Sequence, residues 1–191
     1  MNLLQAKQAV IEITARPDKA LAIVRAINHR IRLYSSVLNS PRDLQESVED
    51  INTLGTIFTL PLSTFPGFRK FSYIKPSNRG VYIEPVDPAK IFTKSASCQQ
   101  EQRDRYYIAG EQVRLSLKQG SPSLFVGWYS YPSVLTLDTD TNWLMEADPY
   151  AVIEGAAAAI FKEIGDDASA QLHEGMYRTY SEVLMNSFGR S

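Results

Sequence analysis

The chain has 191 residues, of which 44% are hydrophobic and 21% charged, and its formal net charge is −1. These values are typical of one folded domain, or of one domain with a large insertion, and exclude a disordered chain. The small net charge gives no general attraction to nucleic acid, and a single cysteine, Cys98, excludes an internal disulfide or a multi-cysteine zinc site.

The first forty residues predict two helices. The segment from Leu3 to about Ala15 has a helical composition, and Pro17 marks its end. A second helix is predicted from Pro17 to Tyr34, because apolar side chains recur there every three or four residues. This apolar stripe consists of Ala20, Val24, Ile27, Ile31 and Tyr34.

From Ser40 onwards the sequence favours β-structure. Short apolar or aromatic runs, bounded by Pro, Gly, Asn or Ser, predict about six to eight short strands in a small antiparallel sheet or sandwich. The runs are Val48 to Ile51, Thr56–Leu60, Phe71–Ile74, Val81–Ile83, Tyr106–Ile108, Val113–Leu117 and Leu124–Tyr131. Ser40 and Pro41 fit the cap of a short helix. The polar segment Ile91–Arg105 fits either a solvated helix or a long loop.

After Pro132 the pattern becomes helical again. Asp148 and Pro149 fit the N-cap and first position of a helix that runs to Ile164. The middle of this helix, Gly155–Ala159, has small side chains that permit close approach of another helix.

A last helix is predicted from about Ala168 to Ser187. Gly165 fits the C′ position of the preceding helix, and Asp166 or Asp167 fits the N-cap of the last one. We expect this helix to bury one apolar stripe, which consists of Leu172, Met176, Tyr180, Val183 and Leu184.

The predicted fold class is α+β. Amphipathic helices at both ends of a chain need each other to bury their apolar stripes. We therefore expect a discontinuous helical bundle formed by residues 1–40 and 136–191, with an antiparallel β-rich insertion over residues 41–135.

Charge is distributed unevenly along the chain. Residues 1–35 carry six basic and two acidic side chains, a balance of +4, whereas residues 136–191 carry three basic and ten acidic ones, a balance of −7. The two ends are therefore complementary, either within one subunit or between neighbours. The candidate contacts join the basic residues Arg25, Arg30 and Arg32 to the carboxylates Glu154, Glu163 and Asp167.

No residue pattern indicates catalysis. The two histidines, His29 and His173, lie on predicted helices at opposite ends of the chain. They could meet as a metal or acid–base pair, but the sequence favours exposed positions, because neither has a carboxylate and a cysteine at ligand spacing. Cys98 has no nearby base and is interpreted as an inert thiol. We predict no enzyme, catalytic residue, cofactor or metal.

Two acidic motifs have simpler interpretations than a metal site. Asp138–Asn142 begins like a calcium loop, but Trp143 and Pro149 occupy the places of the required glycine and glutamate. It is interpreted as a polar turn, with incidental weak calcium binding left open. Gly165–Asp167 resembles a polymerase carboxylate pair, but it is explained by the end of one helix and the start of the next.

Aromatic pairs in predicted strands, Tyr106–Tyr107 and Trp128–Tyr129, leave a nucleic-acid-binding module open. Aromatic side chains on a sheet can stack on single-stranded bases. Alternating aromatic residues in strands more often belong to a core, so this function is the weaker alternative. No apolar run approaches the roughly 20 residues that cross a bilayer, and no signal peptide is visible. We expect no membrane contact and a cytosolic site of synthesis.

Short segments over nearly the whole chain resemble the head-to-tail adaptor (connector) proteins of tailed bacteriophages. The similar segments are Ala26-Ile27-Asn28 with Tyr34, Tyr106–Gly110, Val113–Leu115, Trp128–Pro132, Asn142–Leu144, Pro149–Ala151 and Gly165-Asp166. The resemblance implies a helical bundle with a β-rich insertion, of which twelve copies form a ring in the phage neck. Such a ring binds the portal protein, continues the DNA channel without sequence-specific DNA binding, and docks a downstream tail or nozzle protein.

The resemblance also implies a location. The protein would be assembled in the bacterial cytoplasm and would lie in the neck of the virion. Some relatives insert a C-terminal extension into the portal, but only Asn186–Ser191 follow the predicted helix here, which leaves Phe188 and Arg190 as candidate docking residues. A tail-completion or tube-end protein, which forms rings of usually six-fold symmetry, is the alternative within the same particle.

Overall fold

The computed structural model of the chain describes residues 1–51, 57–88, 104–118 and 120–188. The chain divides into two compact units, Met1–Asp43 with Tyr131–Ser191 (the helical unit) and Leu44–Ser130 (the β unit). The predicted α+β class, with helices from both ends of the chain and an inserted β-rich region, is confirmed.

The helical unit combines elements from both ends of the chain in one hydrophobic core. Its helices are α1 (Leu3–Thr14), α2 (Ala20–Val37), α3 (Trp143–Ala147), α4 (Pro149–Glu163) and α5 (Asp167–Phe188), with 3₁₀ turns at Pro17–Lys19 and Pro41–Asp43. Helix α4 is central, since it packs against α1, α2, α3 and α5.

The start of α1 is held by its own cap and by the distant end of the chain. The Asn2 side chain accepts a hydrogen bond from the Gln5 amide at 3.0 Å, and the Gln5 side chain accepts one from the Asn2 amide at 3.0 Å. This capping box satisfies two amides that the first helical turn leaves free. The amides of Leu3 and Leu4 donate to the carbonyls of Asp140 and Asp138, respectively. The N-terminal helix is thereby fixed to the segment before α3.

The apolar stripe of α2 is largely the predicted one. Ile27, Ile31 and Tyr34 are buried, as expected. Ala20 and Val24 are only half-buried, and Ile23 is completely buried in their place. The buried face of α2 is therefore rotated slightly about the helix axis from the predicted face.

The predicted caps of α4 and α5 are confirmed. The Asp148 side chain accepts a hydrogen bond from the Ala151 amide, with Pro149 at the first helical position. Gly165 has φ 81°, a conformation that side chains disfavour and that commonly follows a helix end. Of the two candidate caps for α5, Asp166 is the one whose side chain accepts from a helical amide, that of Ser169 at 3.1 Å.

The predicted apolar stripe of α5 is wrong for four of its five residues. Leu184 is buried, but Leu172, Met176, Tyr180 and Val183 are exposed. Besides Leu184, the buried side chains of α5 are those of Ala170, which is small, and Ser181, which is polar. Tyr177 is half-buried. The small side chains in the middle of α4 permit close approach, so small residues of α5 fit the interface better than large ones.

The described residues of the β unit form two sheets that share one core. Its strands are β1 (Leu44–Asp50), β2 (Ile57–Pro61), β3 (Phe68–Pro76), β4 (Glu84–Pro85), β5 (Arg105–Ala109), β6 (Gln112–Ser116) and β7 (Ser123–Ser130). One sheet has the order β1-β7-β3 and the other β2-β6-β5-β4. All pairs are antiparallel except β4 with β5, which is parallel.

One predicted strand is wrong. Val81–Ile83 does not pair in a sheet, and its Val81 and Tyr82 side chains are exposed while Ile83 is buried. The sheet pairing begins only at Glu84, where two residues form β4. Most of the segment Ile91–Arg105, with Cys98, and the turn between the first two predicted strands lie outside the described residues.

Candidate assembly surfaces of the helical unit

Three ion pairs within the helical unit join the basic N-terminal segment to the acidic C-terminal segment. They are Lys7–Asp138 at 2.8 Å, Lys19–Glu163 at 2.8 Å and Arg30–Glu174 at 2.9 Å. Each joins residues more than 130 positions apart in sequence. Some of the basic side chains of the N-terminal segment are thus paired with carboxylates of the C-terminal segment of the same chain.

Arg30, one of the candidate charged residues, has a side chain that is only 14% exposed. Its guanidinium donates to Glu174 and lies 4.5 Å from the centre of the Tyr177 ring. Its methylene groups pack over Gly155, where an added Cβ would lie 2.9 Å from Cδ of Arg30. Through these contacts, Arg30 of α2 packs against both α4 and α5 of its own chain. Glu174 and Tyr177, three residues apart on one face of α5, were not singled out by the sequence pattern.

Glu154, a second candidate, pairs with histidine. Its side chain lies 2.5 Å from Nδ1 of His173, and both side chains are largely buried. The His173 ring also stacks on Phe161, with a centroid distance of 5.1 Å. The prediction that His173 is exposed is therefore wrong, because the buried face of α5 is rotated from the predicted one. His29 is exposed, as expected.

The remaining charged candidates lie on the surface. Arg25, Arg32 and Asp167 are exposed. The Arg32 guanidinium lies 4.7 Å from the centre of the Tyr131 ring. Asp167 lines an open pocket of about 710 Å³ between α2, α4 and α5. The same pocket is lined by His29, Lys162 and Arg178.

The two candidate docking residues lie at the end of the chain. Phe188 is the last residue of α5, and Arg190 lies outside the described residues. Within the described ranges, no group of three or more His, Cys, Asp and Glu side chains is placed to hold a metal ion.

The acidic segment before α3 is a polar turn. One carboxylate oxygen of Asp140 accepts hydrogen bonds from the amides of Thr136 and Leu137, both at 2.7 Å, and from the Thr136 hydroxyl. These backbone hydrogen bonds hold the pKa of Asp140 below its usual range. Asp138 is paired with Lys7. The carboxylates thus stabilise the turn and its contact with α1.

Asn28 makes a contact that the sequence pattern did not predict. Its side-chain oxygen accepts from the Leu135 amide at 2.8 Å, and its side-chain nitrogen donates to the Leu135 carbonyl at 2.9 Å. The nitrogen also donates to the carbonyl of Val24. The Asn28 side-chain amide thus forms the same pair of hydrogen bonds with the Leu135 backbone that a residue on a neighbouring strand would form. The only signal was a polar residue beside the apolar stripe of α2.

We expect the Asn28→Ala variant to lower the free energy of unfolding by about 1–3 kcal/mol, because it leaves two half-buried backbone groups of Leu135 without partners. Urea denaturation followed by circular dichroism measures the change. The matched control is Asn186→Ala, at an exposed position of α5, which should change stability by less than about 0.5 kcal/mol. Equal effects of the two variants would contradict this role of Asn28.

Comparison with known families gives one match. The model of the family described as SU10 adaptor protein matches residues 1–189. The chain belongs to the SU10 adaptor protein family. The predicted resemblance to phage head-to-tail adaptors is thereby confirmed. No curated protein matches the chain.

Membership in the SU10 adaptor family indicates a bacteriophage adaptor protein, a structural component of the virion. The match includes both the helical unit and the β unit. Among the described residues, no single helix of this adaptor is both long enough and apolar enough to cross a bilayer.

Proposed function

We propose that this adaptor is a non-enzymatic structural subunit of the phage neck. In this proposal, twelve copies form a ring that binds the portal protein on one side and a tail or nozzle protein on the other. The observation that carries the proposal is the family match over residues 1–189. The ring is assembled in the host cytoplasm and needs no cofactor.

The charge of the chain agrees with a channel through which DNA passes without being held. Each phosphate that a protein neutralises adds to the retention of DNA and to its salt dependence. The net charge here is −1, and several basic side chains of the helical unit are already paired with carboxylates. DNA would therefore slide past without sequence-specific contacts.

The test is to mix the purified chain with portal rings of tailed phages and to measure the mass of the product by native mass spectrometry. The proposal expects twelve copies bound to each portal ring. Six-fold rings that do not bind any portal would indicate a tail-completion or tube-end protein instead. Tight binding of single-stranded DNA at physiological salt, without ring formation, would indicate a nucleic-acid-binding module.

We propose that the portal contact includes Phe188, the last residue of α5, and Arg190, which follows it in the sequence. Alanine substitution of each should weaken the binding of assembled rings to the portal and leave the oligomeric state of the isolated protein and its helical content unchanged. Ser187→Ala is the neighbouring control, since that side chain donates a hydrogen bond to the Leu184 carbonyl of its own helix. Portal binding that survives both substitutions would remove these residues from the contact.

Contacts between neighbouring subunits in the ring include the exposed cations Arg25 and Arg32 of one copy and Asp167 of the next. Arg30, Glu154 and Glu163 have partners within the chain and are less available. We expect Arg32→Glu to weaken ring formation by about fivefold per contact, the upper range for an exposed ion pair. The wild-type ring should also weaken as salt is raised.

The matched control is Arg16→Glu, which makes the same change in charge at a residue paired with Asp18 in its own turn. Adding Asp167→Arg to Arg32→Glu should restore assembly if the two side chains meet across the ring. Assembly that is insensitive to salt and to reversal of Arg25 and Arg32 would exclude these ionic contacts.

A further inference from the structure

Helix α5 carries an apolar ridge that the described part of the chain leaves uncovered. Leu172, Met176, Tyr180 and Val183 lie on one face of the helix and are exposed, Leu172 by 58% and Val183 by 63%. Tyr150 of α4 stacks on Tyr180 and extends this surface. The ridge is about 16 Å long, from the helical rise of its eleven steps. Contiguous exposed apolar side chains of this kind mark a surface for interaction.

A groove lies between α2 and α5. Its walls are formed by Leu33 and Val37 of α2 and by Met185 of α5, all exposed, Val37 by 67%. Tyr34 and Tyr177 also line the groove, which encloses about 230 Å³. Tyr34 is fixed there by a hydrogen bond of 2.6 Å with the Ser181 hydroxyl, and burial raises the pKa of Tyr34 above its usual range.

The ridge and the groove lie on opposite sides of α5. Each residue of an α-helix is rotated by about 100° from the one before it, so Met185 points about 200° away from Val183. The same rotation separates Arg178, at the groove, from Met176, on the ridge. One helix therefore presents a convex apolar surface on one side and borders a concave apolar surface on the other.

We propose that the ridge of a second copy of this chain packs into the groove, so that each subunit offers its ridge to one neighbour and its groove to the other. This inference rests on the proposed ring and assigns the surfaces that form it. Docking of the apolar face of one helix into a hydrophobic groove is a common mode of protein recognition.

The pairing of two different surfaces favours a second copy over other occupants. A two-fold dimer that joined ridge to ridge would cover one surface and leave the groove open. A heterologous contact covers both surfaces on every subunit, and repetition of that contact generates a ring when the rotation closes. The four ridge side chains bring no charge into the groove, whose lining also includes the charged residues Arg178 and Glu182.

Disulfide cross-linking tests the contact directly. Val37→Cys and Val183→Cys would be made in separate chains, both with Cys98→Ser, and one chain would be enlarged by a tag. Both valines are exposed, so the fold tolerates the changes. A disulfide forms where the two Cα atoms lie within about 7 Å. Mixed rings oxidised with copper phenanthroline should therefore give dimers of one tagged and one untagged chain, and each variant alone should give none.

Other results of the cross-linking would overturn the proposal. Homodimers of the Val183→Cys chain alone would show a ridge-to-ridge contact. Rings of unchanged mass without any mixed dimer would exclude the ridge–groove contact and leave the proposed function standing. A chain that forms neither rings nor cross-links, alone or with portal rings, would overturn the contact and the proposed function together.

A charge placed on the ridge gives a second measurement. Met176→Glu should reduce the fraction of chain in rings at least tenfold while the melting temperature of the isolated chain stays unchanged, since Met176 is exposed. Gln171→Glu, at an exposed position of the same helix away from the ridge, is the matched control. Full assembly of the Met176→Glu chain would exclude the ridge from the interface.

Discussion

Replacing Ile27 by alanine is expected to lower the free energy of unfolding by about 2–5 kcal/mol. Ile27 is 0% exposed and lies in the middle of α2, within a core that contains residues from both ends of the chain. The substitution removes buried methyl groups and leaves a cavity that the surrounding helices cannot fully close. Chemical denaturation followed at 222 nm measures the loss, because helices α1 to α5 lie in the helical unit.

The matched control is Leu21→Ala on the same helix. Leu21 is 76% exposed, and its truncation should change stability by less than about 0.5 kcal/mol. A loss below about 1 kcal/mol for Ile27→Ala would mean that α2 does not pack into a common core with the C-terminal helices. That result would contradict the discontinuous bundle and the ring proposed on the basis of it.

Helix boundaries and caps were predictable from the sequence because their signals are local. Asp148 with Pro149 starts α4 through one side chain and one fixed backbone angle, and Gly165 ends it through a positive φ. Each signal acts over a few residues and needs no knowledge of the rest of the fold. The buried face of α2 was also largely predictable, since it repeats a single apolar stripe.

The pairing of strands was not predictable in the same way. Strand β1 pairs with β7, about 80 residues later in the chain, whereas β2 pairs with β6 in the other sheet. Alternating apolar residues indicate that a strand exists and which side it buries, but they do not select its neighbour. The short parallel strand β4 has too few residues to show any pattern.

The candidate site was only partly predictable, for a physical reason that concerns α5. An apolar stripe indicates which face of a helix avoids water. The sequence does not show whether that face packs into the core of its own chain or against another chain. Leu172 and Val183 were assigned to the core, yet the core position is taken by Ala170 and Ser181. The partner of Arg30 was missed for the same reason, because the rotation of α5 brings Glu174 to it.

Replacing Gly155 by leucine is expected to cost about 3 kcal/mol of folding stability, at the upper end of the usual range for overpacking. A Cβ at this position would lie 2.8 Å from the Tyr177 ring and 2.9 Å from Cδ of Arg30, closer than carbon atoms approach. The leucine would displace Arg30 from Glu174 and Tyr177 from the groove. Thermal and urea denaturation measure the stability, and native mass spectrometry should show loss of rings at temperatures where the chain remains folded.

Gly175→Ala on α5 separates the effect of close packing from that of helix propensity. Apart from its chain neighbours and the backbone of its own helix, no described atom lies within 4 Å of a Cβ at Gly175, which is an exposed position in a helix interior. Alanine there should raise the free energy of unfolding by about 0.5–1 kcal/mol, because it restricts the unfolded backbone and favours the helix. If both glycine variants were more stable than the parent chain, Arg30 and Tyr177 would have room to move, and the close junction of α2, α4 and α5 would not determine the shape of the groove.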